Sequence, residues 1–91
     1  MIVLHLPDDL ANEIGIAARS RHAAAATVGD LFDAVEREAP GVLRRISEPG
    51  GRLRPHLNLF VGEDRVGRTQ PFSTPLRDGD EIWLLRAVSG G

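Results

Sequence analysis

No cysteine and no lysine occur among the 91 residues. Without a thiol, disulfides, thiolate zinc sites, iron–sulfur ligation and cysteine nucleophiles are all excluded. Without lysine, all eleven basic residues are arginine, so the chain offers no side-chain amine on which copies of itself could be linked. Long apolar runs are missing too: none approaches the roughly 20 residues that span a bilayer. Met1-Ile2-Val3-Leu4-His5-Leu6 has no basic region ahead of its apolar stretch, so no membrane partner and a cytoplasmic location are expected. Nor is charge of one sign in excess. A net charge of −2 and arginines dispersed through positions such as Arg19, Arg21, Arg44, Arg45, Arg52 and Arg54 give no electrostatic case for nucleic acid.

Recognisable catalytic groupings are equally scarce. His5, His22 and His56 are far apart in sequence and lack carboxylates at metal-ligand spacing. Ser47, Ser73 and Ser89 have no base nearby, and Gly50-Gly51 is not followed by the Lys-Ser/Thr of a phosphate loop. The expectation is a protein with no metal site, no bound cofactor and no catalytic activity of its own.

What remains is an ordinary folded composition. Apolar residues at 42% and charged residues at 26% suit one small domain with a modest core. Ile2, Leu4 and Leu6 alternate with Val3 and His5 in a first strand that Pro7-Asp8-Asp9 ends. Leu10 and Ile14 share one face of a short helical turn. A second strand is expected somewhere between Ile16 and Ala26, although Ala23 to Ala26 favour helix. The main helix is clear. Thr27 is a good N-cap with Asp30 three residues on, Val28, Leu31, Phe32, Val35 and Ala39 form an apolar stripe, and Pro40-Gly41 stops it. Asp33, Glu36, Arg37 and Glu38 are expected to face water.

Val42, Leu43 and Ile46 suggest another helical turn. After Pro55, Leu57, Leu59 and Val61 alternate with His56, Asn58 and Phe60. Gly62-Glu63-Asp64 reads as a turn and Arg65-Val66 as a brief edge strand, with Phe72 expected to plug between sheet and loop. An Asp78-Gly79 turn then starts the last strand, Glu81-Ile82-Trp83-Leu84-Leu85-Arg86. It should bury Ile82 and Leu84 and present Trp83 and Leu85. These elements describe an α+β β-grasp, or ubiquitin-like, architecture: a mixed sheet of four to five strands with one main helix packed on one face. The other face should carry Val3, Phe60, Trp83 and Leu85. Two of the chain's four aromatics on an open face mark a docking patch.

Residues 1–86 are expected to form the domain and residues 87–91 a flexible tail ending in Gly90-Gly91. A Gly-Gly end is narrow and presents an unhindered α-carboxylate. From Val88 to Gly91 such a tether reaches roughly 10–14 Å when extended.

The run Leu76-Arg77-Asp78-Gly79-Asp80-Glu81-Ile82, the apolar strand and the Val88-Ser89-Gly90-Gly91 ending together resemble the ThiS/MoaD family of ubiquitin-like sulfur carriers. Thr27-Val28-Gly29-Asp30-Leu31 and Pro40-Gly41 sit where that family starts and stops its helix, so the resemblance covers most of the chain. It implies that an ATP- and Mg-using adenylating enzyme of the ubiquitin-activating type converts the Gly91 carboxylate to an acyl-adenylate, which a sulfur donor turns into a thiocarboxylate. A sulfur-accepting synthase is then the second partner, and the chain could be the small subunit of such a synthase. Gly91 is the reacting residue, Gly90 its slim neck, Val88 and Ser89 the tether, and Trp83, Leu85 and Phe60 the partner-binding patch. Length and ending lean toward molybdopterin-synthase small subunits or the cysteine-forming carriers of actinobacteria. Arg86-Ala87 departs from the Pro-Pro common in the former, and a carrier for cysteine, a thiosugar or another natural product fits equally well. Two other readings stand beside this one: a ubiquitin-like modifier joined through Gly91 to target lysines, and an interaction domain whose tail is inert.

Overall fold

Alternation along Ile2–His5 puts Ile2 and Leu4 on one side of a strand, and both are fully buried. In the computed structural model, which describes residues 1–87, the elements run β1 (Ile2–His5), α1 (Asp8–Ile14), β2 (Arg19–His22), α2 (Val28–Glu38), α3 (Val42–Ile46), β3 (Leu57–Val61), β4 (Asp64–Arg65), a 3₁₀ turn (Pro71–Ser73) and β5 (Glu81–Arg86). The strands form one mixed sheet in the order β2-β1-β5-β3-β4. β1 and β5 pair in parallel; the other neighbours are antiparallel. This is the expected β-grasp. None of the described helices is long and apolar enough to cross a membrane.

The core lies between α2 and one face of the sheet. Val28, Leu31, Phe32 and Val35 supply the helix side; Ile2, Leu4, Leu57, Leu59, Ile82 and Leu84 supply the sheet side. Thr27 caps α2 as its sequence suggests, its hydroxyl accepting from the Asp30 amide at 3.1 Å. Gly29 serves a separate purpose. A Cβ there would stand 2.9 Å from the Phe72 carbonyl oxygen, so the residue's smallness lets the 3₁₀ turn close on the helix.

Three details depart from the sequence reading. Phe72 packs edge-on against Phe32 of α2, with centroids 6.1 Å apart, rather than between sheet and loop. Its neighbour Pro71 is buried beside it, which carries the turn onto the helix. Glu36 is half-buried instead of facing water, because its carboxylate accepts from the amides of Gly41 and Leu43 and so satisfies the start of α3. The edge strand is Asp64–Arg65, and Val66 turns into the core.

The second strand falls inside the expected window at Arg19–His22, upstream of the alanines, so helix propensity is not overridden there. Its apolar content is nil. It exists because β1 offers a partner edge, with Ile2 opposite His22 and His5 opposite Arg19. α1 bridges the two strands, with Leu10 and Ala11 buried, aspartates in its first turn and Gly15 at φ 78° closing its end.

Candidate functional site

The central position of β5 determines what the open face can present. Because β1 and β3 cover both edges of β5, its side chains are sorted by alternation alone. Ile82 and Leu84 point at α2 and are fully buried, while Trp83 and Leu85 stand on the other face at 36% and 44% exposure. Phe60 of β3 lies in register with Trp83, and Asn58 with Leu85. The half-buried Val3 completes the apolar part of this face. The structure therefore brings Phe60, Trp83 and Leu85 together, as the alternation predicts. With Gly62 and Glu63 they border a shallow concavity of about 360 Å³. A second, of about 300 Å³, opens on the opposite side of Trp83 along His5, Pro7, Ala18 and Arg19.

Polar groups frame the patch. His5 stacks flat on Trp83, with centroids 3.5 Å apart and ring planes 5° from parallel, and its Nε2 lies 2.8 Å from Glu81 Oε1. One face of the indole is thus occupied by a ring that is itself tied down. Sequence alternation places His5 on this face but gives it no role. The missing signal is the parallel register of β1 and β5, which sets His5 beside Trp83 and cannot be read from either strand alone. On the other flank, Asn58 Oδ1 accepts from Arg65 Nη2 at 2.7 Å and Arg68 Nη1 at 3.0 Å.

The chain leaves β5 under two restraints. The Ala87 amide donates to the His56 carbonyl at 2.8 Å. The Arg86 guanidinium pairs with Asp9 of α1, and that hydrogen-bonded pair holds the Asp9 carboxyl below its ordinary range. Val88, Ser89, Gly90 and Gly91, which carry the expected tether and reacting residue, lie outside the described residues.

Elsewhere the structure satisfies its polar groups locally. His22 is buried and shares a 2.8 Å hydrogen bond with Ser20 Oγ, two residues away on the same face of β2. Among the described residues no carboxylate orients that imidazole, so the pair reads as a satisfied buried ring rather than a nucleophile and its base. Among the described residues no three His, Asp or Glu side chains are grouped to hold a metal ion.

Comparison with known proteins places this geometry among relatives. The family model described as the ThiS family matches residues 4–91. Small archaeal modifier protein 3 of Haloferax volcanii is 35% identical over 66 residues, covering 72% of this chain and 71% of its own. The sulfur carrier protein CysO of Mycobacterium tuberculosis is 29% identical over 75 residues, covering 80% of this chain and 81% of its own. Among solved structures, the Amycolatopsis orientalis BexX/CysO complex contains a chain that matches with a TM-score of 0.82 and 26% identity over 100% of both chains. SAMP1 of Haloferax volcanii matches with a TM-score of 0.69 and 30% identity over 99% of this chain and 98% of its own.

Proposed function

This chain belongs to the ThiS family, and on that premise we propose that it carries sulfur as a thiocarboxylate on Gly91. A carboxylate is a poor electrophile until one oxygen becomes a good leaving group. In the proposed cycle, an adenylating partner joins a Gly91 carboxylate oxygen to the α-phosphorus of ATP and releases pyrophosphate. A sulfide-level donor then attacks the carbonyl carbon and expels AMP, leaving a carbon–sulfur bond where a carbon–oxygen bond stood. The thiocarboxylate is a soft nucleophile that a synthase uses as its sulfur source.

The division of labour follows from the residues. Gly91 supplies the reacting atom and Gly90 lets it pass a narrow channel. Val88 and Ser89 set the reach, and Trp83, Leu85 and Phe60 give partners a surface to grip. ATP and Mg belong to the partner enzyme. The observation that carries the reading is the continuity of β5: the strand that displays Trp83 and Leu85 runs directly on to the Val88-Ser89-Gly90-Gly91 sequence. Its similarity to CysO sulfur carriers, one of them in complex with BexX, supports both the cargo and the need for a protein partner.

The test is the intact mass of the protein isolated from its host, with the C-terminal peptide fragmented. Exchange of one Gly91 oxygen for sulfur is the expected result. A carboxylate that stays unchanged after incubation with a cognate adenylating enzyme, ATP and a sulfur donor would sink the proposal. The similarity to small archaeal modifier protein 3 keeps a second reading in view, conjugation of Gly91 to lysines of other proteins. Branched peptides carrying the chain's C-terminal residues on a foreign lysine would establish it.

A further inference from the structure

Arginines that look scattered in the sequence meet at the root of the tail. Arg44 and Arg45 of α3, Arg54 before β3 and Arg86 at the end of β5 line one cavity of about 470 Å³. Its lining also includes the buried Leu10 and Leu57. Two carboxylates offset part of the charge: Glu13 bonds Arg45 at 3.1 Å, and Asp9 pairs with Arg86. Among the described residues Arg44 and Arg54 make no ion pair, although Glu36 lies close enough for its charge to act on Arg44, so the cavity keeps a modest excess of positive charge. That excess opposes the overall net charge of −2.

The geometry favours a particular kind of anion. Nε and Nη2 of Arg54 donate to the Arg44 carbonyl at 3.2 and 3.0 Å, which fixes the guanidinium plane and leaves its Nη1 without a partner among the described residues. A fixed planar fork matches a carboxylate, and the leucines suit the methylene stem that carries it. A phosphodiester chain would bring a charge at every unit against Asp9, Glu13 and Glu36, with only Arg44 and Arg54 outside an ion pair to receive it. The cavity also borders the tail's exit, since His56, whose carbonyl holds the Ala87 amide, lines it as well.

We infer that this cavity is a second docking point, separate from the sheet face, which receives one or two carboxylates from an acidic loop of a protein partner engaging the tail. The sulfur-carrier reading bears on this only through the identity of that partner. The cavity would then set the angle at which the tail enters the partner, while Trp83 and Leu85 provide the apolar grip on the adjacent face.

The probe is an acetylated and amidated Gly-Glu-Gly-Glu-Gly peptide, which carries two carboxylates, titrated into the isotopically labelled full chain and followed by amide and arginine Nε resonances. Shifts centred on Arg44, Arg45, Arg54 and Leu57 are expected, shrinking as salt rises from about 50 to about 500 mM. Arg44→Glu should weaken the interaction at least tenfold, and its side chain is exposed enough for the fold to survive. Arg44→Gln, which removes the charge without reversing it, should give an intermediate loss. Shifts spread over the Trp83 face, or an Arg44→Glu protein that binds equally well, would overturn the inference. So would inorganic phosphate that produces the same shifts at lower concentration, because the cavity would then be a small-anion site. No sulfur transfer is read, so failure here leaves the carrier proposal standing, and failure of the mass measurement leaves this one standing.

Discussion

The imidazole of His5 lies flat against the indole of Trp83, 3.5 Å from centroid to centroid, and its far nitrogen is hydrogen-bonded to Glu81. The three side chains come from two parallel neighbouring strands, so the arrangement fixes a half-exposed tryptophan in one orientation. Preorganisation of this kind reduces the ordering cost of binding.

Trp83 is the sole tryptophan, which makes that arrangement directly observable. His5→Ala should shift its fluorescence emission to the red as one ring face gains water, and should cost about 0.5–1.5 kcal/mol of folding stability, the usual worth of a stacked ring pair. An unchanged emission spectrum would show that the stack does not shield the indole in solution.

Leu85→Arg separates docking from folding. The residue is 44% exposed and opposite Asn58, so stability should stay within about 0.5 kcal/mol of the parent. Affinity for the adenylating enzyme, measured by calorimetry, should fall at least about tenfold, or about 1.4 kcal/mol.

Deleting Gly91 tests the tail without touching the sheet. Binding through Trp83 and Leu85 should persist, whereas thiocarboxylate formation and conjugation should both disappear from the mass spectrum. Retained sulfur loading in the shortened protein would remove Gly91 from the chemistry.

Gly29→Ala probes the closure of the 3₁₀ turn on α2. Alanine raises helix propensity, yet its Cβ would lie 2.9 Å from the Phe72 carbonyl, a backbone atom that cannot swing aside. The steric term should win, with a net loss of about 1–3 kcal/mol in urea unfolding. A gain in stability would mean the turn yields freely.

Acid should loosen the joint between α2 and α3. Hydrogen bonds from the Leu43 and Gly41 amides hold the Glu36 carboxyl below its ordinary value of 4.5. A carboxyl whose pKa is depressed by folding contributes stability that is complete above the unfolded value and fades as pH falls through the folded one. Stability of the parent should therefore decline from about pH 5 downward. Glu36→Gln should begin lower at neutral pH and decline less steeply over that range. Parallel curves for the two proteins would show that Glu36 contributes nothing to the acid sensitivity.

The strands with strong patterning were open to sequence reasoning and the weakly patterned one was not. β3 and β5 alternate cleanly around buried Leu57, Leu59, Ile82 and Leu84, which suffices to place Phe60, Trp83 and Leu85 on the open face. β2, Arg19–His22, holds none of the strong strand formers and is specified by its pairing to β1, so only a window for it can be drawn. The same limit hides the polar half of the site. His5 meets Trp83, and Arg86 meets Arg44, Arg45 and Arg54, through register and helix placement between segments distant in sequence. A pattern confined to one segment has no means of showing such meetings.

The parallel pairing of β1 with β5 also has a mechanical consequence. Force applied to the chain beyond Arg86, against resistance at the start of β1, runs lengthwise along both strands. The bonds between them are then loaded together in shear instead of opening one at a time, and the β3 ladder on the other edge of β5 shares the load. A partner that draws the tail into a tight channel would be pulling on one of the best-braced segments of the molecule, so the tension of capture should fall on the tether before the fold begins to yield.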